Sequence, residues 1–159
     1  MRETLFNWLG QTLHGKRCLD LFAGSGALGF EAASRGAEEV VMVENNRIAF
    51  SALKQNCDKI GFLAVALHNE DALKFIARDA SRYDVIFLDP PFQSDALQKT
   101  LPLLHGKLTQ DGVVYIETGA AFNPGADWST VKQAKAGQVH YQLLQPKRGQ
   151  NLIESATQE

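Results

Sequence analysis

Leu19-Asp20-Leu21-Phe22-Ala23-Gly24-Ser25-Gly26-Ala27-Leu28-Gly29 reads as a short apolar strand, a glycine turn and the start of a helix. Gly24, Gly26 and Gly29 have the G-x-G-x-x-G spacing of a nucleotide-binding turn. Glycine at the first two positions permits a tight turn and close backbone approach of a ligand, and Gly29 permits close packing of helix on strand. The spacing alone specifies only a nucleotide. The residues that stand at the later strand ends decide which one.

Outward from the turn, strand and helix alternate. Residues 17–22 read as a strand, and residues 27–34 as a helix closed by Gly36. Residues 40–43 are a nearly all-apolar strand, as in the interior of a parallel sheet. Residues 47–60 read helical, with Ile48, Leu53 and Ile60 facing inward and Gly61 as the stop. Residues 62–67 form a third strand ending at His68-Asn69-Glu70-Asp71, and a helix follows to about Arg78. Residues 83–88 form a fourth strand that runs into Asp89-Pro90-Pro91-Phe92. Residues 94–105 read as a helix, and Asp111-Gly112 opens a fifth strand over 113–117. Upstream, Leu5, Trp8, Leu9 and Leu13 at helical spacing predict an amphipathic helix ending near Gly15. The alternation predicts an α/β fold, a doubly wound, Rossmann-like sheet that is mostly parallel. Residues 128–135 and 138–145 then read as a hairpin around Ala136-Gly137, so the sheet ends antiparallel. A single domain over 1–159 is expected, with 1–15 as its N-terminal helix and 146–159 as a fraying polar tail.

The 159 residues suffice for one core, and a net charge of −2 gives no composition-level argument for a large phosphate-binding footprint. Cys18 and Cys57 form no Cys-x-x-Cys, and the histidines do not cluster with them. Reduced thiols, no metal site and a cytoplasmic, membrane-free location are the expectations. Arg2, Lys16, Arg17, Lys147 and Arg148 read as solvated charges, and His140 as a half-exposed strand residue.

Ligands of an open parallel sheet collect at the carboxyl ends of its strands. Glu44 stands there, about 20 residues beyond the glycines, where an acid accepts hydrogen bonds from ribose hydroxyls. Asp20 separates two cofactor classes. A carboxylate one step before the turn repels a pyrophosphate seated on the helix N-terminus, but favours the ammonium and sulfonium of S-adenosyl-L-methionine. The competing reading is a carboxylate bonded to nearby backbone amides. Asp71 either accepts from an adenine amino group or caps the following helix. Phe22, Asn45 and Ala72, neighbours at the same strand ends, join Gly24 and Gly26 in the candidate cofactor set.

Asp89-Pro90-Pro91-Phe92 is a stiff turn without amide donors at its prolines. It presents the Asp89 side chain and a carbonyl as acceptors, which suits the two N–H bonds of an exocyclic amine. Phe92 supplies a face for a base taken out of its stack. Asp89, Pro90 and Phe92 are the candidate catalytic residues. Glu117 ends the fifth strand within reach of the cleft and receives no role.

Together these residues resemble the class I S-adenosylmethionine-dependent methyltransferases of the amino-group type. More narrowly, the chain resembles the bacterial 16S rRNA guanine-N2 methyltransferase family. The resemblance rests on Arg2-Glu3-Thr4-Leu5-Phe6-Asn7-Trp8-Leu9, residues 19–29, Val85-Ile86-Phe87-Leu88-Asp89-Pro90-Pro91-Phe92 and Ala136-Gly137-Gln138-Val139. It implies seven strands with the last antiparallel, and S-adenosyl-L-methionine as cofactor. Asp20, Gly24 and Gly26 fall at its methionine end, Glu44 at the ribose, Asp71 near adenine, and 89–92 at the target base. It implies 16S rRNA within a small ribosomal subunit or assembly intermediate as partner, with a monomeric enzyme. The family's usual basic N-terminal segment does not precede Arg2, so a truncated chain, or one docked by ribosomal proteins, is expected. Adenine-N6 methyl transfer on RNA or DNA, a nicotinamide oxidoreductase and a non-catalytic cofactor-binding assembly factor are the rival readings.

Overall fold

The structure, a computed structural model, describes residues 2–91 and 94–147. The chain order is α1 (Arg2–Leu9), β1 (Arg17–Asp20), α2 (Ala27–Ser34), β2 (Glu39–Val43), α3 (Arg47–Ile60), β3 (Val65–His68), α4 (Ala72–Arg78), β4 (Tyr83–Leu88), α5 (Ala96–Thr100), a 3₁₀ helix (Leu101–Lys107), β5 (Leu108–Thr118), β6 (Trp128–Ala136) and β7 (Val139–Pro146). The seven strands form one sheet in the order β3-β2-β1-β4-β5-β7-β6. β1 to β5 pair in parallel, and β7 is antiparallel to both of its neighbours.

Alternating strand residues feed two layers. Cys18, Val40, Met42, Val85, Phe87 and Tyr115 are buried on one face, with Leu5 and Phe6 of α1. Leu19, Val41, Val43, Ile86, Leu88 and Ile116 are buried on the other, with Phe75 and Ile76 of α4. This two-sided burial explains the near-continuous apolar runs of β2 and β4. The sheet order reverses between β1 and β4, so a crevice opens beyond their carboxyl ends.

Several expectations need correction. α1 stops at Leu9 because Gly10 takes φ +102°, a conformation that ends a helix. Leu13 is still buried, held by its backbone N–H to the Arg35 carbonyl at 2.9 Å. α1 lies on the sheet face, with Phe6 against Phe87 and Trp8 stacked on Tyr141. In α3 only Leu53 of the three expected residues is buried; Ile48 is 84% and Ile60 50% exposed. Ile48 lies roughly 140° around the helix from Leu53, and Cys57 takes the inward position instead. The third strand starts at Val65, not residue 62, and is an edge strand, leaving Leu63 fully exposed in the preceding turn. The helix expected over 94–105 is one α-helical turn followed by a 3₁₀ helix, with Pro102 at its start and lacking the N–H an α-helix needs. β5 begins at Leu108, and its register against β4 shifts between Tyr83 and Val85. Of the expected tail, Pro146 completes β7 and Lys147 donates its N–H to the Asp127 carbonyl, while 148–159 lie outside the described residues.

Candidate active site

A cavity of about 740 Å³ opens at the carboxyl ends of β1, β2 and β4. Asp20, Phe22, Gly24, Glu44, Asn45, Asp71, Ala72, Asp89 and Pro90 all line it. Gly26 does not. It precedes α2 with φ +91°, and a Cβ there would lie 2.6 Å from Leu53 Cδ1 and 2.4 Å from Phe30 Cε2. Its place is the packing of the turn against α3. Phe92 lies outside the described residues.

Glu44 holds the glycine turn in place. Its Oε1 accepts the Gly24 N–H at 2.8 Å, and its Oε2 accepts the Asn46 N–H at 2.9 Å. Each oxygen keeps a lone pair for a further donor. Asn69, which the sequence does not single out, donates to the Glu44 and Asn45 carbonyls and fixes this corner. Asp71 caps α4: its Oδ2 accepts from the N–H groups of Leu73 and Lys74 at 3.0 and 3.2 Å. The same residue lines the cavity, so capping and facing a ligand are compatible.

Asp20 is buried, and its Oδ1 has no protein partner. Burial pushes its carboxyl up to about 7; the Phe22 and Gly29 amides oppose this rise, and the charges of Asp89 and Glu44 add to it. Asp89 is also pushed up to about 7, first by burial and then by Glu117 beside it. Glu117 in turn accepts the Tyr115 hydroxyl at 2.5 Å. Sequence spacing does not reveal that Glu117 stands beside Asp89, because this depends on the register of β4 against β5. Pro91 turns its carbonyl to Ser94, whose N–H and hydroxyl both donate to it. Pro90 and Pro91 also border a second cavity of about 290 Å³, with Glu117 and Phe122 in its wall.

The family model described as conserved hypothetical protein 95 matches residues 1–145. The chain belongs to that family. Ribosomal RNA small subunit methyltransferase D of Escherichia coli (strain K12) is 38% identical over 151 residues, covering 91% of this chain and 76% of that protein. The protein of the same name from Haemophilus influenzae is 35% identical over 153 residues, covering 91% and 79%. The solved structure of yhhF from Escherichia coli, a methyltransferase candidate, superposes with a TM-score of 0.84 at 36% identity, covering 92% of this chain and 84% of that one.

This family member has the class I methyltransferase fold. The cavity fits S-adenosyl-L-methionine, the methyl donor that the resemblance implies. Its lining contains Asp20, Glu44, Asp71 and Asp89 but no Lys, Arg or His among the described residues. Such a lining suits a cation and opposes a pyrophosphate. The unpartnered Asp20 oxygen is the acceptor that a bound ammonium would satisfy.

Proposed function

We propose that the protein transfers a methyl group to the exocyclic 2-amino group of a guanine in 16S rRNA, on a small ribosomal subunit or its assembly intermediate. The observation that carries this reading is the placement of Asp89 and Pro90 in the wall of the acidic cavity, with Pro90 also bordering the second one. Relatives named for small-subunit rRNA methylation support the substrate class.

When bound, the cofactor would supply an electrophilic methyl on a sulfonium, which would leave as the neutral thioether, and Asp20 would hold its ammonium end. Glu44 with Asn45 would take the ribose hydroxyls, and Asp71 with Ala72 the adenine. Gly24 and Phe22 shape the turn around it, with Gly26 setting the turn's packing. Asp89 accepts one N–H of the target amine. The Pro91 carbonyl is occupied by Ser94, so the second acceptor is the Pro90 carbonyl. An amine held by both hydrogens is drawn out of conjugation with its ring, and its lone pair turns towards the methyl. Phe92 stacks the splayed base. Asp89 need not be a strong base, because an alkylated aryl ammonium is itself strongly acidic. The protein works as a cytoplasmic monomer, with residues 1–159 acting as a single methyltransferase domain.

Asp89→Ala is the test. It should lower methyl transfer at least a hundredfold while calorimetry still detects cofactor binding within a few-fold of the parent. A variant with parental turnover would remove Asp89 from the chemistry.

A further inference from the structure

Glu117 is the cleft side chain to which the proposed reaction assigns no task. It lies on β5 beside the end of β4, where Leu88 pairs with Ile116. By the two-residue strand period, Asp20, Asp89 and Glu117 follow Cys18, Phe87 and Tyr115 on one face. The result is an oblique row of acids across β1, β4 and β5: Asp20 is in register with Phe87 and Tyr115, two residues short of Asp89 and Glu117. The Leu88–Ile116 pairing sets Asp89 and Glu117 side by side at the strand ends, and Glu117 adds to the upward shift of the Asp89 carboxyl. Two carboxylates so close do not both ionise readily. Tyr115, fully buried, donates to Glu117 Oε1 and anchors that carboxyl from within the sheet. Asp20 feels the charges of Asp89 and Glu44, and Tyr115 those of Glu117, Asp89 and Tyr141, so β1, β2, β5 and β7 each present a titratable group here. Neither cavity wall offers the row a Lys, Arg or His among the described residues.

We propose that Glu117 is a positioning residue for methyl transfer: it shares one proton with Asp89 and thereby holds Asp89 as an acceptor aimed at the target amine. The role rests on Asp89 receiving that amine. The singly protonated pair is the working form. When the shared proton leaves, the two carboxylates repel and Asp89 loses its aim. When a second proton binds, Asp89 loses acceptor capacity. The pair, rather than either residue, then sets the pH dependence.

Glu117→Gln keeps an acceptor for Tyr115 and gives Asp89 a permanent N–H donor. Protein labelled with ¹³C at Asp and Glu carboxyls, titrated by NMR without substrate, should show Asp89 and Glu117 titrating together in the parent, the last proton leaving near pH 7. In E117Q, Asp89 should titrate in one step at lower pH. In the transfer assay the parent kcat should fall on the alkaline side, and E117Q should lose that fall. Glu117→Ala should lower kcat roughly tenfold with an unchanged KM for the cofactor. Independent titrations in the parent, or superimposable pH profiles of parent and E117Q, would overturn the proposal. A parent that titrates as a pair yet methylates no base amine would refute the functional reading, and the positioning role with it, while leaving the shared proton intact.

Discussion

Asp20 is the residue on which the choice of donor turns. In an unfolded chain its carboxyl titrates near the ordinary 3.8, and in the folded protein near 7. Between these values the folded state binds more protons than the unfolded one, so stability falls as pH rises through that window. Urea melts of the ligand-free protein should show lower stability at pH 7.5 than at pH 5. Asp20→Asn should flatten that slope and weaken cofactor binding about tenfold or more, since a charge-assisted hydrogen bond contributes roughly 1.5–3 kcal/mol. An unchanged slope in the variant would contradict the assignment. Asp20, Glu44, Asp71 and Asp89 were legible in the sequence because each stands where an apolar strand ends, and strand ends of a parallel sheet converge. Their partners were not. The Glu44 bonds to Gly24 and Asn46, the Asn69 brace and the side-by-side placement of Asp89 and Glu117 depend on how neighbouring strands and turns align in space, which spacing along the chain does not fix.

Among the elements, the glycine turn with α2 places the site most directly. A Cβ at Gly29 would lie 2.5 Å from Met42 Cε, and Met42 is fully buried in β2. Gly29→Val should therefore cost about 1–3 kcal/mol by overpacking, read as a lower urea midpoint with an unchanged m-value. α1 makes a comparable contribution from the other end of the chain. Phe6 is fully buried against Phe87, so Phe6→Ala should cost about 3–5 kcal/mol. α3 was legible to the residue: it ends at Ile60 because Gly61 takes φ +80° and donates its N–H to the Cys57 carbonyl, whereas α1 was not, since Gly10 rather than Gly15 stops it. Elements whose limits depend on tertiary position were less so. The apolar run 62–67 reads as a buried strand, but its first residues form a turn at the sheet edge. The apolar pattern of 94–105 hides the change to 3₁₀ geometry that accompanies Pro102.

At the scale of the molecule, one end of the sheet gathers acids around a cavity of about 740 Å³, although the net charge of the whole chain is only −2. Calorimetry should accordingly detect S-adenosyl-L-methionine binding and no comparable NAD binding; tight NAD binding would reverse the reading of the cavity. The hairpin β6–β7 completes the sheet beyond β5, and its Tyr141 takes the Trp8 stack, so the two ends of the described chain meet on one face. Pro90 and Pro91 stand between the two cavities, where a methyl group would pass from donor to base. The most direct test of that transfer is incubation of the protein with methyl-labelled cofactor and, in parallel, undermethylated small subunits, naked rRNA and DNA, followed by nucleoside analysis. Label in N2-methylguanosine from the 16S rRNA of the subunits is the predicted result. Label in N6-methyladenosine, or in no nucleoside from any substrate, would contradict it.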